Sequence, residues 1–377
     1  MSAPVRVAML SSAHPPMDVR IFLKEARTLA AAGYEVTYVV PHDRDEQVDG
    51  VRLRAFPRPR HRLLRMFASP PRMLREALRE RADVYHFHDP ELIPVGLALK
   101  VLGKRVVYDA HEDVAKSILG KSYLARWVRR PLAAAVNLLE KGASRAFDLV
   151  VVAAGGIQTS FQGYAHTLLI RNYPIQELQA PGEPAVRDDG RLVVAYAGGL
   201  TAQRGAVEMV QAIAQVPARY EPRLVICGRY WPAELEQRVR SMPGFERVDY
   251  QGWLQPDRVT AALRQADAGL VCFLPEPNHV EAGPNKLFEY MAAGLPVIAS
   301  AFPAWREIVE EGDCGLCVDP AEPAAIAEAI VWLAEHPQRR AEMGRNGQRL
   351  VRERYNWEAE ARRLIEAYAS ISLRNRA

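Results

Sequence analysis

The twenty residues Glu281–Ser300, EAGPNKLFEYMAAGLPVIAS, contain the pattern that decides the fold. A glycine and a proline mark a loop, a helical stretch then ends at Gly294, and the apolar PVIAS opens a strand. Loop, helix and buried strand in this order are typical of an α/β domain, which offers backbone N–H groups and a positive helix end to a phosphate. Two carboxylates, Glu281 in the loop and Glu289 in the helix, lie eight residues apart.

The same alternation of strand and helix runs through the 377 residues, which are too many for one compact core. The apolar runs of the first half are VRVAML, EVTYVV, DVYHFH, RVVYDA and LVVVAA, and those of the second half are LVVAYAGG, RLVICGR, VDYQGW, AGLVCFLP and LCVDP. This alternation predicts two doubly wound parallel sheets, which bind ligands at the carboxyl ends of their strands.

A stretch rich in proline, glycine and charge predicts the boundary between the two domains. Residues 176–190 are expected to form a linker between a first domain, residues 1–175, and a second domain, residues 191–356. The tail, residues 357–377, has the pattern of an amphipathic helix.

The net charge is only +4, but the positive charge is concentrated in the first half of the chain. Residues 52–81 contain ten arginines against Glu76 and Glu80, interleaved with Leu, Met and Phe. Such a segment can lie on an anionic membrane or bind an anionic acceptor, or it can be a solvated helix face. No nucleic-acid motif accompanies it. The sequence also has no apolar run of membrane-spanning length and no signal-peptide layout, so a cytoplasmic place is expected.

Four cysteines raise the question of metal or redox chemistry. Cys227 and Cys272 are isolated in apolar strands, whereas Cys314 and Cys317 form a C-x-x-C. Since no second Cys or His pair has zinc spacing, a turn leading into a strand is the favoured interpretation.

Three further motifs carry polar side chains to strand ends. The run YAGGLTAQRG places Arg204 beside a helix start and predicts a diphosphate site, because arginine offers a fixed fork of donors. VVYDAHED places His111 just beyond a buried strand. HFHDPEL contains His86, His88, Asp89 and Glu91, a tempting metal set, but we expect a structural or acceptor-side role and no metal.

The string around Glu281 and Glu289 resembles the E-x7-E signature of retaining glycosyltransferases with the GT-B fold, of the family 4 (group 1) type. The variant PNKLFEYMAAGLPVIAS is similar to the branch found in bacterial polysaccharide clusters. This resemblance covers nearly the whole chain. It implies two Rossmann-like doubly wound domains facing a central cleft, an acceptor-side domain followed by a donor-binding one, with the C-terminal helix crossing back to the first.

The resemblance also implies roles for individual residues. His111 would lie near the donor sugar, Glu281 would hold sugar hydroxyls, Glu289 would bind ribose, and Arg204 would stabilise the leaving diphosphate. Donor-binding positions besides Arg204 and Glu289 are expected at Gly198, Gly199, Gly228, Arg229, Gly252, Trp253, Gly283, Pro284, Asn285, Lys286 and Leu287. Candidates on the acceptor side, or for phosphate, are Asp18, Arg20, His88 and Asp89, although Asp18 is equally suited to cap a helix.

One position departs from the family pattern. Gly199 stands where many relatives have an arginine, and Arg204 stands where they have a lysine. One of two phosphate clamps is therefore missing, and Lys286 or Arg20 is the candidate to replace it.

The implied reaction moves a sugar from a nucleoside-diphosphate sugar to a saccharide or lipid-linked acceptor, in cell-surface polysaccharide or glycoconjugate synthesis. No metal, no cofactor and no nucleic-acid partner are expected, and the enzyme would work in the cytoplasm at the inner face of the membrane. Two alternatives stay open: a nucleotide-sugar 2-epimerase of the same architecture, and a non-catalytic partner protein that keeps the fold.

Overall fold

The computed structural model describes residues 3–57, 62–119, 125–176, 191–280 and 283–373. The chain divides into two compact units, of which unit 1 joins Met1–Asn172 to Trp357–Ala377 and unit 2 is Tyr173–Asn356. Except for Gln176, the predicted linker lies outside the described residues.

Unit 1 is built on an eight-stranded sheet. Its strands are β1 (Arg6–Leu10), β2 (Glu35–Pro41), β3 (Glu46–Val48), β4 (Val51–Phe56), β5 (Val84–Phe87), β6 (Arg105–Ala110), β7 (Leu149–Val152) and β8 (Thr167–Leu169). Its first six α-helices are α1 (Arg27–Ala31), α2 (Arg62–Glu80), α3 (Ile93–Val101), α4 (Val114–Leu119), α5 (Arg126–Ser144) and α6 (Gly155–Ser160). The sheet order is β3-β4-β2-β1-β5-β6-β7-β8, and only the β3–β4 pair is antiparallel.

Unit 2 has a six-stranded, fully parallel sheet in the order β11-β10-β9-β12-β13-β14. Its strands are β9 (Val193–Ala197), β10 (Arg223–Cys227), β11 (Val248–Gly252), β12 (Ala268–Val271), β13 (Val297–Ser300) and β14 (Gly315–Val318). Its helices are α7 (Ala206–Gln215), α8 (Ala233–Arg240), α9 (Pro256–Arg264), α10 (Pro277–Val280), α11 (Asn285–Ala292), α12 (Pro303–Val309), α13 (Pro323–Glu335) and α14 (Pro337–Glu353).

These two sheets confirm the predicted fold class. In both units the central strands are buried along their whole length, because helices cover both faces of a doubly wound sheet and leave no face for polar side chains. The order of connection reverses between β1 and β5 in unit 1 and between β9 and β12 in unit 2. The carboxyl ends of these strand pairs are the crevices in which such sheets bind ligands.

The last helix, α15 (Trp357–Leu373), packs against the N-terminal helix of unit 1. Trp357 donates from Nε1 to the Thr28 hydroxyl at 2.9 Å, and the Tyr368 hydroxyl lies 2.8 Å from His86 Nδ1 in the buried core. The predicted return of the C-terminal helix to the first domain is therefore confirmed.

The N-terminal helix begins with eight residues of π-helix, Val19–Ala26, before α1. Three charged side chains, Arg20, Lys24 and Glu25, are buried in this wide turn. The periodicity from Arg20 to Ala32 predicts a helix that stops at Gly33, and in the structure the first part of that helix is this π-helical turn instead of regular α-helix. Single π-type turns interrupt helices most often at functional sites.

The arginine-rich stretch 52–81 contains two elements rather than one amphipathic segment. Its first residues lie in β4, where Arg52 and Arg54 form salt bridges that include Glu80. The rest contains α2, which buries Met73 and Ala77 and exposes Phe67. Residues 58–61 lie outside the described part of the chain.

Candidate functional site

Glycines form the turn at the carboxyl end of β9, at the reversal point of unit 2. Gly198 has a φ of +122°, in the region that side chains rarely adopt. A Cβ on Gly228, at the end of the neighbouring strand β10, would lie 1.9 Å from the Gly198 carbonyl oxygen. Both positions therefore require glycine, because the two strand ends approach each other through bare backbone.

Two cations converge on this turn. A Cβ on Gly198 would lie 2.4 Å from Lys286 Nζ, and one on Gly199 would lie 3.3 Å from Arg204 Nη1. Arg204 donates to the Gly199 carbonyl at 3.0 Å, and Lys286 Nζ lies 5.6 Å from the centroid of the Tyr196 ring. Among the described residues, neither cation forms a salt bridge with a carboxylate. The turn therefore has the positive charge of an anion site.

Burial, and after it the charge of Arg204, lower the pKa of Lys286 to about 8 against the opposing effect of Glu289. An anion that binds beside this lysine stabilises its charged form and raises the pKa again. Lys286 lies in the first turn of α11, whose N-cap is Pro284 and whose first residue is Asn285. The free N–H groups of that helix end add to the positive field.

The remaining candidates of this stretch divide between surface and core. Glu289 is exposed on α11, while Leu287 is fully buried and packs in the core of unit 2. Gly283 is exposed before the helix. Glu281 lies outside the described residues, so its predicted role stays a prediction.

The loops after β10 and β11 present exposed aromatic and cationic side chains. Gly228 N–H donates to the Gly252 carbonyl at 2.7 Å, which ties the two loops together. The Arg229 guanidinium carbon lies 6.0 Å from the Trp253 ring centroid, and Trp253 is 58% exposed. An exposed tryptophan beside an arginine offers a stacking surface for a planar base.

In unit 1, Asp89 fixes the loop that follows β1. Its carboxylate accepts from the Ser11 hydroxyl at 2.9 Å and from the Ser12 N–H at 2.6 Å. Asp18 caps the π-helical turn by accepting from the N–H groups of Arg20 and Ile21, each at 2.9 Å. Both predicted acceptor-side carboxylates therefore also hold backbone in place.

Asp109, in β6, is the centre of a buried charge network. Arg20 donates from Nε and Nη2 to the two carboxylate oxygens at 2.8 and 2.9 Å. His88 Nδ1 lies 3.1 Å from the same carboxylate, and His111 Nδ1 lies 3.6 Å from it. Arg20, proposed from sequence as a phosphate ligand, is buried and bonded inside unit 1 instead.

The charged groups of this network shift one another's pKa values, some upward and some downward. Burial alone would raise the pKa of Asp109, but Arg20 and the two histidines hold it well below its usual value. Burial alone would lower the pKa of His111, but its contact with Asp109 raises it. For Glu25, burial and the charge of Asp109 raise the pKa well above its usual value. Asp109 is thus the anion that Arg20 compensates.

One group of side chains in the described ranges has the spacing of a metal site. Ligand atoms of Glu25, His86, His88 and Asp109 lie within 4.8 Å of one another, and all four residues are buried. The Arg20 guanidinium, however, lies 3.2 Å from Glu25 and 2.8 Å from Asp109, so it already supplies the positive charge that a metal ion would bring to these carboxyl groups. The four side chains could ligate a small divalent ion, but the positive charge of Arg20 beside them disfavours one.

The C-x-x-C lacks the features of a reactive pair. Cys314 is buried, both thiols are free, and burial raises the pKa of Cys314 and of Cys317 to about 12. Thiols at this pKa stay protonated and are poor nucleophiles or metal ligands.

Comparison with known families matches each unit to a different description. Residues 19–166 match "Glycosyltransferase Family 4", and residues 183–350 match "Glycosyl transferases group 1". The chain belongs to the GT-B glycosyltransferases of the family 4 and group 1 type.

Among curated proteins, this glycosyltransferase is similar to the MMP alpha-(1->4)-mannosyltransferase of Mycolicibacterium hassiacum. The two are 24% identical over 298 residues, which cover 76% of this chain and 71% of the relative. A phosphatidyl-myo-inositol mannosyltransferase of Mycolicibacterium smegmatis is also 24% identical, over 77% of this chain and 72% of the relative.

Solved structures share the fold of this glycosyltransferase. Sucrose-phosphate synthase from Thermosynechococcus elongatus superposes with a TM-score of 0.79 at 22% identity, covering 98% of this chain and 99% of the other. Anabaena HepE in complex with UDP-glucose gives a TM-score of 0.71 at 19% identity, over 97% and 99% of the two chains.

Sequence reasoning about this glycosyltransferase missed Asp109 and Glu25 as members of the network. The signal for Asp109 was present, since a charged residue within the apolar strand RVVYDA needs a buried partner. Glu25 gave no comparable signal, because its burial depends on the π-helical turn.

Within the described residues, no helix has the length and apolar character needed to cross a membrane.

Proposed function

We propose that this chain is a retaining, metal-independent glycosyltransferase. It moves a hexose from a nucleoside-diphosphate sugar to a saccharide or lipid-linked acceptor, at the membrane and in the synthesis of cell-surface polysaccharide or glycoconjugate. The observation that carries the proposal is the pair of unneutralised cations, Arg204 and Lys286, at the glycine turn of unit 2. HepE with UDP-glucose and the mannosyltransferase relatives support the donor class.

The chemistry of the proposal follows from charge. The bond between the sugar and the diphosphate loosens through an oxocarbenium-like state, and negative charge grows on the leaving group. Arg204 and Lys286 stabilise that charge where it develops, in place of a metal ion. The acceptor hydroxyl oxygen forms the new bond to the anomeric carbon as the bond to the diphosphate breaks, and the leaving phosphate takes the hydroxyl proton, so no nucleophile or base from the protein is required.

Other predicted residues take supporting roles in this proposal. Glu289, exposed on α11, binds ribose hydroxyls, and Glu281 holds hydroxyls of the donor sugar. His111 acts near the donor sugar, where its raised pKa lets it share in the charge balance of the reaction.

A panel of nucleotide sugars tests the donor. We expect one donor to raise the melting temperature by several degrees and to release nucleoside diphosphate slowly, because a ligand stabilises the state that it binds.

Glu289→Ala should weaken nucleoside-diphosphate binding roughly tenfold or more by removing hydrogen bonds to a charged group. Glu234→Ala, also exposed on a helix of unit 2, is the matched control. Unchanged affinity in Glu289→Ala would refute the ribose role, and an epimerised sugar without diphosphate release would favour the 2-epimerase.

The lowered pKa of Lys286 predicts that diphosphate affinity depends on pH. Below about pH 8 Lys286 is charged in the free protein, and the affinity should be constant. A bound diphosphate raises this pKa, so above about pH 8 binding takes up a proton and the affinity should fall by up to about tenfold per pH unit. Calorimetric titration in buffers of different ionisation enthalpy measures both effects. Lys286→Arg keeps its charge and should remove the slope; a slope that persists in this variant would show that another group titrates.

A further inference from the structure

The exposed apolar side chains of this protein are concentrated in unit 1. Among the residues whose burial the structure describes, all but two of the exposed large hydrophobic residues belong to that unit; the two exceptions are Trp231 and Trp253 in unit 2. Single exposed hydrophobics are ordinary on a protein surface, but a contiguous group marks a contact with another molecule.

Helix α5 has the densest group. Trp127 is 81% exposed, Leu138 is 68% exposed, Leu139 is 70% exposed, and Leu132 is also exposed. Pro131, Ala134 and Ala135 lie between them and are exposed as well, so one side of the helix has no charge over this length. We call these seven residues the α5 face. From Trp127 to Leu138 the face extends for about 16 Å at 1.5 Å per residue.

The opposite side of α5 is anchored in unit 1. Ala133 and Ser144 are buried, and Glu140 accepts a hydrogen bond from the Tyr108 hydroxyl in the core. The helix is therefore held in one orientation, and the α5 face points away from the sheet that it covers. An apolar side on a helix that is already packed is not needed for the core of unit 1.

Basic side chains accompany the α5 face. Arg130 is exposed on α5 itself, and Arg145 is exposed directly after the last residue of the helix, Ser144. The arginine-rich helix α2 contacts α3, which in turn contacts α5, so these helices cover the same face of the sheet. Arg72 and Arg75 of α2 are exposed there, as is the aromatic ring of Phe67. The α2 part of the predicted positive segment thus lies in the same layer of helices as α5.

We propose that the α5 face docks on an anionic lipid bilayer. Trp and Leu enter the boundary between headgroups and acyl chains, while the arginines contact anionic headgroups. Positive charge around an apolar centre fits this partner better than a second copy of the same chain, because two such copies would bring like charges together. The inference rests on the proposed function, for which a lipid-linked acceptor places the enzyme at a membrane.

Vesicle sedimentation with the full chain tests the assignment. The wild type should bind vesicles of phosphatidylglycerol and phosphatidylcholine, and bind phosphatidylcholine alone weakly. The triple variant Trp127→Ser, Leu138→Gln, Leu139→Gln should bind the anionic vesicles at least about tenfold more weakly than the wild type, since the apolar part of the contact is lost. Replacing exposed side chains should leave the circular dichroism and the melting temperature unchanged.

The matched control is Val101→Gln with Leu102→Gln. These side chains at the end of α3 are 88% and 54% exposed but lie outside the α5 face, and this variant should bind like the wild type. An equal loss in the control, full binding by the triple variant, or a wild type that ignores anionic vesicles would overturn the proposal. A wild-type dimer that the triple variant separates, without vesicle binding, would instead assign the face to self-association.

Donor turnover keeps this test separate from the proposed function. Slow release of nucleoside diphosphate, measured without vesicles, should be the same in the wild type and the triple variant. Vesicle binding without any diphosphate release would support the α5 face and count against the transferase proposal. Diphosphate release without vesicle binding would do the opposite.

Discussion

Arg204→Ala should lower kcat by about 100- to 1,000-fold, the usual effect of removing one donor that stabilises charge in the transition state. Arg204 has no carboxylate partner among the described residues; its guanidinium donates to the Gly199 carbonyl and lies 5.7 Å from the centroid of the Phe273 ring. Its removal therefore leaves no buried charge unpaired, and the fold should persist. Lys286 would remain at the glycine turn and could compensate for the loss only in part.

Steady-state kinetics with the identified donor measure this effect, with Arg238→Ala as the control. Arg238 is an exposed arginine on α8 of the same unit and should retain wild-type kinetics. If Arg204→Ala also keeps wild-type kinetics, the diphosphate is held elsewhere. A higher KM with unchanged kcat would mean that Arg204 binds the donor in the ground state only.

Asp109→Ala should destabilise unit 1 by about 3–5 kcal/mol, the typical result of breaking a buried ion pair from one side. The substitution leaves the Arg20 guanidinium without its bidentate partner, in a place where it cannot be solvated. Glu25 lies 3.2 Å from Arg20 Nε but is fully buried, so it compensates for the loss only in part. The two units need not unfold together, so two unfolding transitions are expected. Denaturant unfolding and calorimetry should both show the transition of unit 1 shifted to lower stability.

A double variant separates lost charge balance from lost packing. Arg20→Met combined with Asp109→Leu removes both charges and should recover much of the stability lost in Asp109→Ala. If the double variant is as unstable as the two single losses added together, the pair does not behave as a coupled unit and the assignment of Asp109 as the counter-ion of Arg20 is wrong.

The strands of both sheets could be predicted from sequence because strands buried on two faces are uninterrupted apolar runs. The β3–β4 hairpin was missed although its signal was present, since Asp49 and Gly50 form a two-residue turn with φ of +50° and +80°. The arginines of β4 were interpreted by their charge and not as part of a strand. The three-residue strand β8 is too short to give a pattern.

The candidate site was predictable only in part, because sequence shows which residues follow a strand but not which strands are neighbours. Arg204 and the glycine turn were found since they lie within one motif. The approach of Lys286 to Gly198 joins residues far apart in sequence and requires the adjacency of β9 and β12. The burial of Arg20 against Asp109 likewise depends on the π-helical turn, which no local propensity indicated.

The return of α15 to unit 1 sets an order for folding during synthesis. Unit 2 is one continuous segment, whereas unit 1 receives α15, and with it the Tyr368 contact to His86, only after Trp357–Leu373 has been made. At 5–20 residues per second, Tyr173–Asn356 takes roughly 10–40 s to emerge. During that time the nascent unit 1 lacks α15, and the surface on which this helix packs stays uncovered. Unit 2 is therefore complete before unit 1.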